Sequence, residues 1–121
     1  MDFKIIKNFK HAIDGIKDIL VFERNFRIMI VIALIIIGAM FYFPVSRLEK
    51  SILLVMIFSV LILELINVAI EKIMDFIQPE YDERVKVIKD LTAGVVLLAS
   101  LGAIIIGIII FMPYLSSLFF N

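Results

Sequence analysis

No cysteine occurs anywhere in the chain. That absence removes disulfides, thiolate catalysis and cysteine-based zinc sites. An excess of either charge is missing too: 12 Lys and Arg balance 12 Asp and Glu, so no basic bias points to nucleic acid. There is no Gly-x-x-x-x-Gly-Lys-Ser/Thr loop and no protein-kinase signature. Histidine occurs once, as His11, on the polar face of an amphipathic stretch where solvation and contact with a ligand are the two readings. The start of the chain does not read as a signal peptide. Lys4, Lys7, Lys10, Asp14, Lys17 and Asp18 interrupt any apolar run there.

What is present in abundance is apolar surface. Of the 121 residues, 63% are hydrophobic, and the mean hydropathy is +1.11. A chain this short has too little interior to hide so many apolar side chains from water. The expected solvent is therefore a lipid bilayer. The apolar residues Ile5, Ile6, Phe9, Ala12, Ile13, Ile16, Ile19 and Leu20 recur at helical spacing, with lysines and aspartates opposite. Residues 1–22 thus read as a helix in the membrane interface, the alternative being an amphipathic helix packed on protein. Residues 28–45, 51–75 and 90–112 follow as three membrane helices, each about long enough to cross a bilayer. The polar stretch 78–90 between the second and third reads as an aqueous loop, and Pro113 as the end of the last span. One integral-membrane domain, 1–121, is expected.

Orientation follows from basic residues. Lys4, Lys7, Lys10, Lys17, Arg24 and Arg27 precede the first span, and Lys72, Arg84, Lys86 and Lys89 surround the second loop. Only Arg47 and Lys50 lie in the first loop, and the tail after Met112 carries no charge. The N-terminus and second loop are expected in the cytoplasm, with the C-terminus outside.

The chemistry concentrates in the second span. Glu64, Asn67, Glu71 and Asp75 fall within about 80° of one another at 100° per residue, on a single stripe. A carboxylate within hydrocarbon costs at least ~2.5 kcal/mol, so the stripe must face protein, water or cations. Asp75 also reads as an ordinary solvated charge if the helix leaves the membrane there. Paired carboxylates beside an amide suit Mg²⁺, a hard ion that also takes phosphate oxygens. Glu23, ahead of the first span, and Lys89-Asp90, at the expected start of the third, reach the same level. Each alone reads as a boundary charge; together they surround the stripe with groups suited to a metal-nucleotide. Ala99, Ala103 and Gly107 form a small-residue face that permits close helix packing or simply faces lipid.

The string Glu64-Leu-Ile-Asn67-Val-Ala-Ile-Glu71-Lys-Ile-Met-Asp75, then Pro79-Glu80-Tyr81 and Lys89-Asp90-Leu-Thr-Ala-Gly, resembles the bacterial diacylglycerol kinase family. That family includes the undecaprenol kinases of Gram-positive bacteria, which the Glu23–Arg27 and Pro79–Gly94 segments resemble more closely. The resemblance covers almost the whole chain. It implies an all-α, homotrimeric helical bundle that transfers the γ-phosphoryl of Mg-ATP to a membrane lipid hydroxyl. It implies that Glu71 and Glu23 are metal and nucleotide carboxylates and that Glu64 is the base for the lipid hydroxyl. Asn67, Asp75, Glu80, Tyr81, Asp82, Lys89 and Asp90 correspond to further residues of the nucleotide site. Lys4 and His11 fall where the family's interfacial helix reaches the nucleotide, in place of an Arg and a Tyr. The competing readings of the stripe are a small cation or proton carrier and a non-catalytic membrane subunit.

Overall fold

The computed structural model describes residues 3–120, and all regular structure among them is helical. Four helices follow in chain order: α1 (Phe3–Phe22), α2 (Arg24–Tyr42), α3 (Arg47–Ile77) and α4 (Glu83–Phe120). Helices α2, α3 and α4 are each long and apolar enough to cross a membrane. Only 17%, 22% and 11% of their most apolar windows are buried within the chain, so the remaining apolar surface requires a non-aqueous surrounding. The molecule is a helical membrane protein. The α3–α4 pairing is the most extensive, α2 lies against α3, and α1 touches α2.

Helix α1 has no buried residue. Its apolar face is open at Ile5, Ile6 and Phe9, which are 62%, 56% and 69% exposed. Farther along the same face, Ala12, Gly15, Ile16 and Ile19 border a cleft shared with α3.

The best-packed region lies where α2 turns into α3. Met40, Val45, Leu53 and Ile110 are buried together there, flanked by Phe43, Phe111 and Tyr114. Phe43 meets Phe111 edge-on at 6.0 Å between ring centroids. The turn ends in a capping box, which satisfies helix-start donors that otherwise have no partner. Glu49 N donates to Ser46 Oγ at 3.1 Å, and Ser46 N donates to Glu49 Oε1 at 3.0 Å. Tyr114 O–H donates to the same carboxylate oxygen at 2.6 Å, tying the start of α3 to the end of α4. Ser46→Ala should therefore cost about 1 kcal/mol of stability. The expected readout is a lower thermal midpoint in detergent with unchanged activity at permissive temperature; an unchanged midpoint would show the cap to be dispensable.

Helices α3 and α4 outrun the boundaries expected from hydropathy, whereas α2, expected over 28–45, begins earlier at Arg24 and stops earlier at Tyr42. The capping box starts α3 at Arg47, and the helix continues to Ile77. Helix α4 begins at Glu83, so only residues 78–82 of the expected loop are non-helical. Polarity in that stretch reports water, not loop structure. Asp82 caps it, and Lys86 Nζ donates to Asp90 Oδ2 at 2.7 Å, a helical i,i+4 pair. Nor does Pro113 end the helix, which runs on to Phe120. Proline removes one backbone donor, but Ile110 and Phe111 before it and Tyr114 after it are held by the packed cluster.

Candidate active site

Burial along the carboxylate stripe falls steadily toward the end of α3. Glu64 and Asn67 are each only 7% exposed, beside Val68 at 2%. Glu71 is half-buried and Asp75 is exposed. The period of the helix places these groups on one face, and packing decides which of them water can reach. Asn67 Oδ1 is buried without a hydrogen-bond partner. Such an atom carries a desolvation cost of about 1–3 kcal/mol until something donates to it or coordinates it.

Glu23 is brought to the stripe by the break between α1 and α2. Its backbone is extended (φ −107°, ψ 105°) and its side chain does not cap α2. Its N–H donates to Ile19 O at 2.8 Å, closing α1. Arg27 Nη1 donates to Leu20 O at 2.9 Å and Val21 O at 2.6 Å, satisfying carbonyls that the end of α1 leaves open. Phe26, 3% exposed, anchors the first turn of α2. The Glu23 carboxylate is thus held at the cleft and free for other work. It lies 3.9 Å from Lys72 Nζ on α3. Glu23 and Glu71 are both close enough to Glu64 for their charges to act on it.

Helix α4 contributes Lys89, whose Nζ donates to Asp75 Oδ1 at 2.9 Å. Because α4 starts at Glu83, Lys89 sits in its second turn and not at its mouth. The expected help from a helix N-terminus therefore falls at Asp82 and Glu83, while the lysine's own charge remains at the stripe. The structure brings together Glu23, Glu64, Glu71 and Lys72 on one side, and Asp75 with Lys89 on the other.

Among the described residues, no hydrogen bond or ion pair joins the remaining candidates to this group. Asp82 has a structural task as the cap of α4. Arg84 N donates to its Oδ1 at 2.8 Å, and Arg84 Nη2 donates to its Oδ2 at 2.9 Å. These bonds hold its carboxyl down to about 2. A depressed carboxylate stabilises the fold above its unfolded value of about 4, and that contribution disappears as pH falls through the folded value. The Asp82 carboxyl should titrate near 2 by NMR, with the first turn of α4 fraying between about pH 4 and pH 2. Titration at an ordinary Asp value would refute the cap. Asp90 is engaged by Lys86, and Glu80 and Tyr81 are exposed in the connection. Lys4 and His11 are exposed on α1, and no hydrogen bond or ion pair joins them to the stripe among the described residues.

Two contributors were not singled out by sequence: Lys72 as the partner of Glu23, and Arg27 as the clamp on the junction. Lys72 follows Glu71 directly and points about 100° away from it. Only the tertiary placement of Glu23 reveals its task.

Among the described residues no three acidic or histidine side chains form a metal cage. Mg²⁺ needs none: it keeps waters and takes one or two carboxylates together with substrate phosphates. Glu23 and Glu71 have the right chemistry, and the orphaned Asn67 Oδ1 adds a hard oxygen donor nearby. The residues fit a Mg²⁺ that arrives with a nucleotide.

Comparison with known proteins identifies the family to which the chain is similar. The family model described as prokaryotic diacylglycerol kinase matches residues 10–111. A diacylglycerol kinase of Synechocystis is 33% identical over 94% of this chain, which spans 66% of that protein. An undecaprenol kinase of Bacillus subtilis is 34% identical over 93% of this chain and 91% of its own. A diacylglycerol kinase of Helicobacter pylori is 31% identical over 98% of this chain and 89% of its own.

Proposed function

We propose, since the chain belongs to the prokaryotic diacylglycerol kinase family and is a lipid kinase, that it transfers the γ-phosphoryl of Mg-ATP to undecaprenol at the cytoplasmic face of a bacterial membrane. The observation that carries this reading is the convergence of Glu23, Glu64 and Glu71 with Lys72 and Lys89 at one end of the bundle.

Phosphoryl transfer asks for positioning and charge neutralisation more than covalent chemistry. Glu23 and Glu71 would hold Mg²⁺, which when bound neutralises charge on the phosphate oxygens. Lys89 turns from Asp75 to the phosphates. Glu64, buried and deepest along the stripe, accepts the proton of the lipid hydroxyl as its oxygen bonds to the γ-phosphorus. The bond to the bridging oxygen breaks, and ADP leaves with the electron pair. The acceptor approaches sideways from the bilayer and the nucleotide from water, which accounts for a site graded from buried to exposed.

A carrier would need acidic groups spread through the membrane depth. Here the stripe lies wholly in the C-terminal half of α3, and residues 28–45 and 91–112 carry no charge. The placement of basic residues supports N-terminus-in and C-terminus-out, which puts the site where ATP is found. A homotrimer belongs to the same proposal, in which an open apolar groove of about 560 Å³ bordered by Ala33, Leu53, Met56, Ile57, Ala103 and Gly107 would be covered by lipid or by a second copy. In that assembly the single integral-membrane unit, 1–121, would be the protomer.

Diacylglycerol is the second acceptor, favoured by the names of the Synechocystis and Helicobacter relatives. The deciding experiment offers both lipids side by side to detergent-solubilised protein with labelled ATP and Mg²⁺. Label mainly on undecaprenol supports the proposal, label mainly on diacylglycerol replaces the acceptor, and label on neither overturns the reading.

A further inference from the structure

Lys72 is left unused by the roles assigned above. It shares a face of α3 with Leu65, Val68 and Ala69, opposite Ala12, Gly15 and Ile16 of α1, around an apolar cleft of about 280 Å³. A lysine beside an apolar cleft ordinarily directs its ammonium to the nearest water. This one lies 3.9 Å from the Glu23 carboxylate, with 62% of its side chain exposed. The pair is too long and too wet to be a strong strut, since exposed ion pairs contribute little.

The other lysine of the site behaves in the same way. Lys89 neutralises Asp75 at 2.9 Å, so acidic groups on both sides of the stripe carry a lysine. Charge balance says what replaces them. Glu23, Glu64, Glu71 and Asp75 outnumber Lys72 and Lys89, so the site has an excess of negative charge. An incoming Mg-ATP is itself negative, and every cation within reach bears on whether it binds. When Glu23 turns toward a metal-nucleotide, Lys72 loses its acceptor, and phosphate oxygens are the acceptors that arrive.

We propose that Lys72 is a nucleotide-binding residue that pairs with Glu23 until a nucleotide binds and then contacts its polyphosphate. The inference rests on the lipid-kinase reading of this site. It distinguishes Lys72 from a surface ion pair, because the lysine competes with the metal for Glu23 while assisting the phosphates. Removing it should push the two ligands in opposite directions.

The test compares wild type with Lys72→Gln and Lys72→Arg in detergent. Binding of a non-hydrolysable ATP analogue is followed by calorimetry, alongside KM, kcat, the Mg²⁺ activation midpoint and thermal unfolding. Lys72→Gln should raise the analogue Kd and the KM for ATP about tenfold, in line with loss of a charge-assisted hydrogen bond. Its kcat and its KM for lipid should stay within about threefold. Its Mg²⁺ midpoint should fall, and Lys72→Arg should restore nucleotide affinity to within about threefold. Unchanged nucleotide affinity, or a loss confined to thermal stability, would overturn the proposal. So would a rise in the lipid KM alone, which would assign the lysine to the acceptor. A wild type that binds the analogue but phosphorylates neither lipid would refute the acceptor reading, leaving the Lys72 result to stand on binding.

Discussion

Glu71→Gln should abolish phosphoryl transfer, with a fall of at least about a thousandfold in kcat/KM, or roughly 4 kcal/mol at 1.36 kcal/mol per decade. Glu71 is the half-buried centre of the stripe, one of two carboxylates suited to the metal, and its charge reaches both Glu64 and Lys89. Glutamine keeps its shape and one oxygen but removes the charge, so the helix should form as before. On the proposed reading, what is lost is an anion that would draw Mg²⁺ into a low-dielectric cleft, where each charge counts for more than in water. The Mg²⁺ activation curve of any residual activity should move to higher concentration. Glu71→Asp, which keeps the charge on a shorter arm, should retain more activity than Glu71→Gln. A glutamine variant that turns over within about tenfold of wild type, at an unshifted Mg²⁺ midpoint, would remove Glu71 from the metal site.

The effect can be anticipated at Glu71 because the stripe is a property of one helix. Residues spaced three and four apart must share a face, so Glu64, Asn67, Glu71 and Asp75 were legible before any packing was known. The number of membrane helices was legible for a similar reason, since bilayer thickness sets their length. Their ends were not. Hydropathy marks where a chain leaves lipid, whereas caps mark where a helix stops, and Ser46-Glu49 and Asp82 moved the starts of α3 and α4 outside the apolar runs. The same distinction removed Lys89 from the mouth of α4 and gave Asp82 a structural task. Glu23 was legible as a charge at the right level, but its partner was not. Its meeting with Lys72 depends on the extended residue between α1 and α2 and on the Arg27 clamp that fixes it. Such contacts belong to the tertiary fold, and no helical period announces them.

Glu64→Gln should separate chemistry from binding. Glu64 is buried at 7% exposure, farthest from the water from which the nucleotide arrives, and it has Glu23 and Glu71 as acidic neighbours. A lipid alcohol is a weak nucleophile, and a positioned base that takes its proton contributes about 10²–10⁴-fold. Glutamine cannot accept that proton, so kcat should fall by about that factor, while binding of a non-hydrolysable ATP analogue changes little. Stability should move the other way. Replacing a buried carboxylate with a neutral amide relieves its desolvation, so the thermal midpoint in detergent should hold or rise. Activity lost together with stability gained marks a residue kept for reaction at the expense of the fold. Activity and stability falling in parallel would instead make Glu64 a structural member of the bundle and pass the base to another carboxylate. The readouts are single-turnover phosphoryl transfer at saturating nucleotide and thermal unfolding of the same preparations.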